Sequence, residues 1–361
     1  MKIVTWLLMM IMIVAVTSTG ATAEDTSVVK ARQSAKNAED NSVKKVTGKQ
    51  LHEGLPVKLA AGKERVPRVD LVKAPAKWID CKDDGAVTLR QGKVDVLSYR
   101  YGDQCKKGLD SKYTHSCYIH PLHGLDGEVL TADFPADHRH HRGLYWTWPQ
   151  MKVRGRDVQT WHPSALRQQF VKWIQKEMQG DVAILHVENE WKLDGKEKVA
   201  TEKVKLTVHP ADAAGRAIDV DLTFEAIGGP IELLGAKGKG YGGFSFRGAP
   251  MFKGAPITTD TGRLKKDSLK VPFRWADIST KKTGVAVFVS PDHPNYPPTW
   301  MLRNSYGGIL NVSWPGLKPF VLQPGKPMTL RYRLYVHQGG AGAQAVKKAY
   351  AKYLAEQKGR R

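Results

Sequence analysis

Apolar and polar residues alternate along most of the chain after about residue 69, in short runs separated by Gly, Asp, Lys and Pro. This period of two is typical of strands that bury one face. In residues 185–208, two such runs flank the turn residues 193–196 and predict a β-hairpin. One face of that hairpin is predicted to carry Leu185, Val187, Asn189, Trp191, Val204, Leu206 and Val208. The repeated pattern predicts an all-β fold with a large antiparallel β-sandwich over residues 67–340.

The two ends of the chain break this pattern. Residues 341–357 carry Ala, Val, Tyr and Leu at helical spacing, so residues 341–361 are predicted to form a short C-terminal helix and a basic tail. Residues 24–66 are rich in Lys, Ala, Ser and Asn and poor in aromatic residues, which favours a flexible N-terminal tether.

Residues 1–23 have the layout of a secretory signal peptide. Lys2 precedes an apolar run over residues 6–16, and small residues end at Ala23, after which cleavage is expected. An uncleaved anchor is the alternative, but the apolar run is short for a membrane span. We therefore expect an exported protein, periplasmic or extracellular, with no membrane contact after cleavage.

The formal net charge of the chain is +21. Its Lys and Arg residues are spread along the whole length and no nucleic-acid-binding motif accompanies them, so nucleic acid is not a predicted partner. An acidic saccharide or polysaccharide is a better match, since polyanion binding is driven by counterion release. A generally basic set of exported proteins in the source organism is the alternative explanation.

The chain contains three cysteines, Cys81, Cys105 and Cys117. In an oxidising compartment the simplest expectation is one disulfide and one free thiol, with the pairing left open. A nucleophilic role for Cys117 beside the histidines is conceivable, but no local signature supports it.

Half of the twelve histidines lie between residues 113 and 148. They are His115, His120, His123, His138, His140 and His141. Imidazole suits proton transfer near neutral pH, so this density predicts a site. The alternative is a solvated loop.

Acid/base chemistry on a sugar ring needs a proton donor and acceptor, and aromatic faces to stack on the ring. His141 or His140 is the predicted acid/base residue, with Glu128 as an acidic candidate. His141 is preferred, because Arg142 and Gly143 then lead directly into a strand. For either histidine, a structural bond to the loop backbone is the alternative. The predicted substrate-binding residues are His120, Arg142, Trp146, Trp148, Tyr241, Arg247, Trp300 and Arg303.

Several of these roles have plain alternatives. Arg142 and Arg247 could grip a carboxylate with the guanidinium fork, or pair with an acid at the core edge. Trp300 could contact sugar or pack in the core. Glu188 and Glu190 could act as bases, but such a row is more often a solvated sheet face.

Metal binding is the competing use of the histidines. His138 and His140 lie two residues apart, and His120 or Glu128 could complete a Zn, Cu or Fe site. No HExxH or CxxC pattern supports this, so no cofactor is predicted and a metal ion stays an alternative.

Four motifs occur in order along the chain. They are His120-Pro121 with Gly124-Leu125-Asp126-Gly127, then Asp137-His138-Arg139-His140-His141-Arg142-Gly143-Leu144, then Trp161-His162, and finally Tyr241-Gly242-Gly243-Phe244-Ser245-Phe246-Arg247. Together they resemble an exported bacterial family that carries the label methane oxygenase PmoA-like, over residues 75–338. That label does not suit the chain, because a particulate methane oxygenase subunit spans the membrane several times.

The resemblance implies a β-supersandwich of the galactose-mutarotase type, a fold that hosts epimerases, lyases and glycoside hydrolases. The leading hypothesis is therefore an exported carbohydrate-active enzyme acting on a saccharide by histidine-assisted acid/base chemistry. The alternatives are a non-catalytic glycan-binding or surface protein and a metal-dependent oxidoreductase.

Overall fold

The computed structural model describes residues 74–339 and 342–358, all within one compact unit. The predicted signal peptide (1–23) and tether (24–66) lie outside the described residues. Within residues 74–339 the chain forms 22 strands.

The strands are numbered in chain order. The first eleven are β1 (Ala76–Cys81), β2 (Ala86–Gln91), β3 (Val94–Arg100), β4 (Tyr118–Leu122), β5 (Leu144–Thr147), β6 (Gln150–Val153), β7 (Arg156–Val158), β8 (Leu166–Gln179), β9 (Val182–Leu193), β10 (Glu197–Val208) and β11 (Gly215–Ala226). The others are β12 (Ile231–Leu234), β13 (Gly243–Arg247), β14 (Ile257–Thr259), β15 (Gly262–Arg263), β16 (Ser268–Pro272), β17 (Trp275–Ser279), β18 (Thr283–Val289), β19 (Thr299–Arg303), β20 (Ile309–Ser313), β21 (Phe320–Leu322) and β22 (Met328–Gln338). The helical segments are α1 (Gly342–Lys358) and three short 3₁₀ turns at Lys82–Asp84, Ser111–Tyr113 and Pro250–Phe252.

Three sheets contain these strands. Sheet 1 has the order β1-β2-β3-β4-β5-β13-β20-β19-β16, sheet 2 the order β15-β14-β17-β18-β22-β11-β10-β9-β8, and sheet 3 the order β21-β12-β6-β7. The pairs within the sheets are antiparallel, as in the predicted hairpin, where Val187 of β9 lies opposite Val204 of β10. The predicted all-β, antiparallel sandwich is confirmed.

Sheets 1 and 2 share one hydrophobic core. Phe244 of sheet 1 stacks on Tyr332 of sheet 2 with ring centroids 4.5 Å apart, and the Asn189 side-chain amide donates to the Tyr99 hydroxyl across the same interface at 2.8 Å. Alternate residues of each strand enter this core because successive side chains of a strand point to opposite faces.

Three tryptophans predicted to contact sugar lie in this core instead. Trp146, Trp148 and Trp300 are at most 1% exposed. The indole N–H of Trp148 donates to the Trp314 carbonyl at 2.9 Å, and that of Trp300 to the Phe273 carbonyl at 2.8 Å. Trp148 and Trp300 therefore contribute packing energy with their N–H groups satisfied, and full burial leaves none of the three rings a face for a ligand.

One buried carboxylate lies in the core without a cation. Glu202 accepts hydrogen bonds from the side chains of Gln168, Asn189 and Trp191 at 2.7–2.8 Å. Burial raises the pKa of Glu202, while these donors oppose the rise. Three donors make a buried acid tolerable because its oxygens stay hydrogen-bonded.

The predicted C-terminal helix is confirmed as α1, which packs on sheet 2. Val346, Tyr350 and Tyr353 form a small cluster with Trp275 and Phe288 of that sheet. Their spacing of three and four residues places them on one face of the helix.

The expected disulfide is wrong, because all three cysteines are free. Cys117 is buried in the core, Cys105 is exposed in a loop, and Cys81 ends β1. None of the helices within residues 74–339 and 342–358 is long and apolar enough to cross a membrane.

Candidate active site

The candidate site lies on the outer face of sheet 1, away from the shared core. Because Leu144 and Trp146 of β5 point into the core, Tyr145 between them points outward. In β13 the same alternation buries Phe244 and Phe246 and turns Ser245 and Arg247 outward. Ser245 lies opposite Tyr145, so the two motif strands place their polar side chains side by side.

The histidine-rich loop between β4 and β5 folds over this face. The His138 N–H donates to the Pro135 carbonyl at 3.1 Å, and the His141 N–H to the His138 carbonyl at 2.9 Å, which makes two successive tight turns. Gly143 then enters β5 against the neighbouring strand. A Cβ at Gly143 would lie 2.3 Å from the Ile119 carbonyl oxygen, so the motif requires glycine there.

Four imidazoles meet above sheet 1, and we call His138, His140, His141 and His162 the histidine cluster. His138 stacks on His141 with ring centroids 4.7 Å apart. His140 lies 4.6 Å from His141 and 3.9 Å from His162. His162 comes from the loop after β7, so only tertiary structure brings it to the other three.

Aromatic rings surround the cluster. Trp161 lies 5.7 Å from His141 and 5.0 Å from Tyr241, and Tyr306 lies 5.5 Å from His138. The sequence singled out Trp161-His162 as a motif without giving either residue a role, and Tyr241 was predicted to bind substrate. The structure brings Tyr241 to the site and adds Trp161 and His162.

Two central histidines are neutral at pH 7. Burial lowers the pKa of His140 to about 3, helped by the nearby His162 and His138. Burial also lowers the pKa of His141 far below its usual value, with His140 and Arg247 adding to the effect. A neutral imidazole keeps one nitrogen lone pair and can accept a proton.

Arg247 is the cation of the site and is only 4% exposed. Its Nη2 donates to both oxygens of the exposed Asp137, at 2.9 and 2.8 Å. Its Nε and Nη1 are buried without a hydrogen-bond partner. Burial opposes ionisation of Asp137, but the bonds from Arg247 and His138 outweigh it and hold the pKa of that carboxyl below its usual range.

Arg142 has a structural role in the described contacts. Its guanidinium donates to the carbonyls of Arg139, His141 and Tyr113 at 2.9, 2.8 and 2.5 Å, and it lies 3.7 Å from the centroid of the Phe134 ring. These bonds hold the histidine loop closed and leave little of the fork for a substrate. The described contacts therefore favour the alternative role for Arg142, and a substrate grip by Arg247 stays a prediction.

Three other predicted residues lie apart from the cluster. His120 Nδ1 bonds the Thr131 hydroxyl at 2.9 Å, and burial lowers the pKa of His120 to about 4. Glu128 accepts from the Asp126 N–H at 3.1 Å and closes a turn. Arg303 lies at the margin, 5.8 Å from the Tyr306 ring.

Glu188 and Glu190, the remaining acid candidates, lie on a sheet face, which was the alternative to a role as bases. Glu188 lies 3.8 Å from Lys172 and Glu190 lies 2.9 Å from Lys192, so both carboxylates have ammonium partners.

No group of three or more His, Cys, Asp or Glu side chains within residues 74–339 and 342–358 is arranged to hold a metal ion. His120 and Glu128, the expected third ligands for His138 and His140, make the separate contacts given above.

A family profile matches residues 86–351, which include strands β2 to β22 and the histidine cluster. The chain belongs to the family of unknown function DUF6807. The resemblance to a PmoA-like family gains no support from this match, although all four motifs that suggested it lie within the matched residues. No curated protein sequence matches the chain.

Solved structures similar to this DUF6807 chain include two lyases and an epimerase homologue. The heparan sulfate lyase HepC from Pedobacter heparinus is 9% identical with a TM-score of 0.35, and the heparinase III BT4657 gene product is 8% identical with 0.34. Each match covers 74% of this chain and 36% of the lyase, so the chain spans about a third of the lyase length. The GalM/aldose epimerase homologue from C. elegans is 7% identical with a TM-score of 0.31, over 74% of this chain and 100% of its own. Likeness at this level concerns the fold and carries no argument about the reaction.

Proposed function

We propose that this protein is an exported enzyme that cleaves an acidic polysaccharide by β-elimination at a uronic acid residue. One observation carries the proposal: Arg247, buried and with two nitrogens unpartnered, lies in the same site as neutral imidazoles. A buried guanidinium with unused donors is costly unless an anion arrives to bind it.

Elimination suits these side chains better than hydrolysis does. A typical glycoside hydrolase places two carboxyl groups across the scissile bond. In the described contacts, the carboxylate that touches the histidine cluster is Asp137. Arg247 and His138 already bind it, so a pair of free carboxyl groups is not offered there. Elimination needs a base and a cation that stabilises a carboxylate as it gains charge, and this site offers both.

The step balances without water or a cofactor. The substrate carboxylate binds Arg247, and His140 removes the proton from the carbon next to that carboxylate. The electron pair forms a carbon–carbon double bond, and the bond to the glycosidic oxygen breaks. The His140 imidazolium then gives its proton to the leaving oxygen, which restores the neutral histidine.

His140 replaces His141 as the preferred base because of exposure. His141 is only 3% exposed and lies beneath its neighbours, whereas His140 is half-buried and borders a surface cleft. We assign His141 a positioning role, since it contacts His138, His140 and Trp161 at once. Tyr241 and the 44% exposed Tyr306 take over the sugar-stacking role once given to the core tryptophans.

Two sequence features support the compartment and the substrate class. The signal-peptide pattern of residues 1–23 favours export, where polysaccharides are met. The net charge of +21 favours a polyanionic partner, because it raises the local concentration of acidic chains.

The test is an incubation of the purified protein with a panel of polyuronates, read by the ultraviolet absorbance of the unsaturated uronate product. His140→Gln is expected to lower kcat by about 10²–10⁴-fold, the usual contribution of general acid–base catalysis. His186→Gln, on a half-buried histidine of β9, is the matched control and should keep full activity. New reducing ends without the absorbance would mean hydrolysis, and saturable binding without product would mean a glycan-binding protein.

A further inference from the structure

The surface cleft that His140 borders has a volume of about 30 Å³ and opens beside the histidine cluster. It shares His140 and His162 with the cluster, is also lined by Trp161, and extends toward the loop before β4. Its other side is lined by residues including Lys112, His115, Thr147 and Arg167. We call this the cationic cleft.

The charge of the cationic cleft is one-sided, since its lining contains no Asp or Glu. Lys112 already pairs with Asp110 at 3.1 Å, and Arg142 is held by backbone carbonyls. Arg167, on β8, is half-buried, and its guanidinium bonds the Lys112 carbonyl at 3.5 Å. Among the described ion pairs it has no carboxylate partner, so its charge is available to a ligand.

A buried hydroxyl in the cleft also has no partner. Thr147 is 2% exposed and its Oγ1 makes no hydrogen bond. It follows Tyr145 by two residues on β5, so it points to the same outer face. Buried hydroxyls are normally satisfied, and an orphan one that lines a cleft indicates a missing ligand atom.

We propose that the cationic cleft is a subsite for the anionic group, carboxylate or sulfate, of the sugar residue next to the one that is cleaved. Arg167 supplies the counter-charge and Thr147 donates a hydrogen bond to the same group. His140 and His162 form the wall shared by the two sites, so a chain that places its reacting residue at Arg247 extends its neighbour into the cleft. The inference rests on the proposed function and names the substrate as a polymer with anionic groups on adjacent residues.

The test is calorimetric binding of three octasaccharides, an unsulfated oligogalacturonate, a chondroitin sulfate fragment and neutral maltooctaose, to the full chain. Arg167→Gln should weaken binding of the anionic octasaccharides by about 10-fold, as expected for a charge-assisted hydrogen bond. Thr147→Val should weaken it by about 5-fold without lowering the melting temperature, because the hydroxyl has no protein partner to lose. Arg263→Gln, an exposed arginine on β15 of sheet 2, removes the same charge elsewhere and should bind as the wild type does.

The two anionic ligands distinguish the group that is bound. An equal loss for both in Arg167→Gln assigns the cleft to a carboxylate, and a larger loss for the chondroitin fragment assigns it to a sulfate. The subsite proposal would be refuted if folded Arg167→Gln bound the anionic octasaccharides with wild-type affinity. It would also be refuted if Arg263→Gln lost as much affinity as Arg167→Gln.

Failure of the cleft and failure of the proposed function give different results. If the protein cleaves polyuronate by β-elimination and Arg167→Gln changes neither binding nor KM, the proposed function is supported and the subsite is refuted. If no polyuronate is cleaved but Arg167→Gln still weakens binding of the anionic octasaccharides, the subsite is supported and the proposed β-elimination is refuted.

Discussion

Replacing Arg247 by methionine separates a functional arginine from a structural one. Methionine keeps most of the unbranched side-chain volume and removes the buried charge. For a residue that the fold relies on, such a change destabilises the protein. For Arg247 the described contacts predict no loss of stability, or a gain.

The magnitude follows from the bonds gained and lost. Nε and Nη1 are buried without partners, and each such donor costs about 1–3 kcal/mol. The bond to Asp137 is an ion pair with an exposed carboxylate, which contributes about 0–1 kcal/mol and leaves Asp137 solvated when it is lost. Arg247→Met should therefore leave the free energy of unfolding unchanged or raise it by about 1–3 kcal/mol, while turnover falls by about 10²–10³-fold.

Arg142→Met is the matched control, because Arg142 is an equally buried arginine and lies in the histidine-rich loop over the same face of sheet 1. Its guanidinium bonds three carbonyls and lies 3.8 Å from Asp133, whose pKa is raised chiefly by burial. Removing it strands these acceptors, so we expect a loss of about 3–5 kcal/mol. Urea unfolding of both variants at pH 7, followed by fluorescence, measures the two values.

The reasoning on Arg247 fails if Arg247→Met loses more than about 2 kcal/mol of stability, a size that marks a structural side chain. It also fails if the variant cleaves polyuronates at the wild-type rate. A stable, inactive Arg247→Met beside an unstable Arg142→Met is the expected pair of results.

Three further predictions concern protonation and thiols. Because the pKa of His140 is lowered to about 3, kcat/KM should stay level as the pH falls from about 8 to 5. An ordinary histidine base, with a pKa near 6.5, would lose most of its activity over that range. A fall in kcat/KM centred near pH 6.5 would therefore contradict the assignment of His140 as the base. Burial opposes protonation of His337, but its bond to Asp277 at 2.8 Å outweighs that and raises the pKa of His337. Its stabilisation should thus be complete below about pH 6.5 and lost as the pH rises through the folded pKa; urea unfolding should show this, and His337→Gln should abolish it. A thiol reagent should label exposed Cys105 rapidly in native protein and buried Cys117 only after unfolding; fewer than three thiols in denatured, unreduced protein would show a disulfide.

The site was predictable in part. Its motifs were visible as sequence, and Tyr241, Arg247 and the histidines at 138, 140 and 141 do meet above sheet 1. Which side chains face the site was not visible, because the strands of sheet 1 are buried on one face and covered in part on the other. Because the sequence does not show which face a side chain occupies, Trp146 and Trp148 were predicted to stack on a sugar, although they lie in the core.

The sequence by itself determined the local rules of this protein. Alternation of apolar residues over 185–208 determined the hairpin and its buried face, since a strand has a period of two, and the spacing of Val346, Tyr350 and Tyr353 determined the helix. Tertiary structure alone decided the partners. It brought His162 to His140 and gave Arg142 three carbonyls while leaving two Arg247 nitrogens without any. Such contacts depend on how distant strands pack, and short-range periodicity carries no information about that.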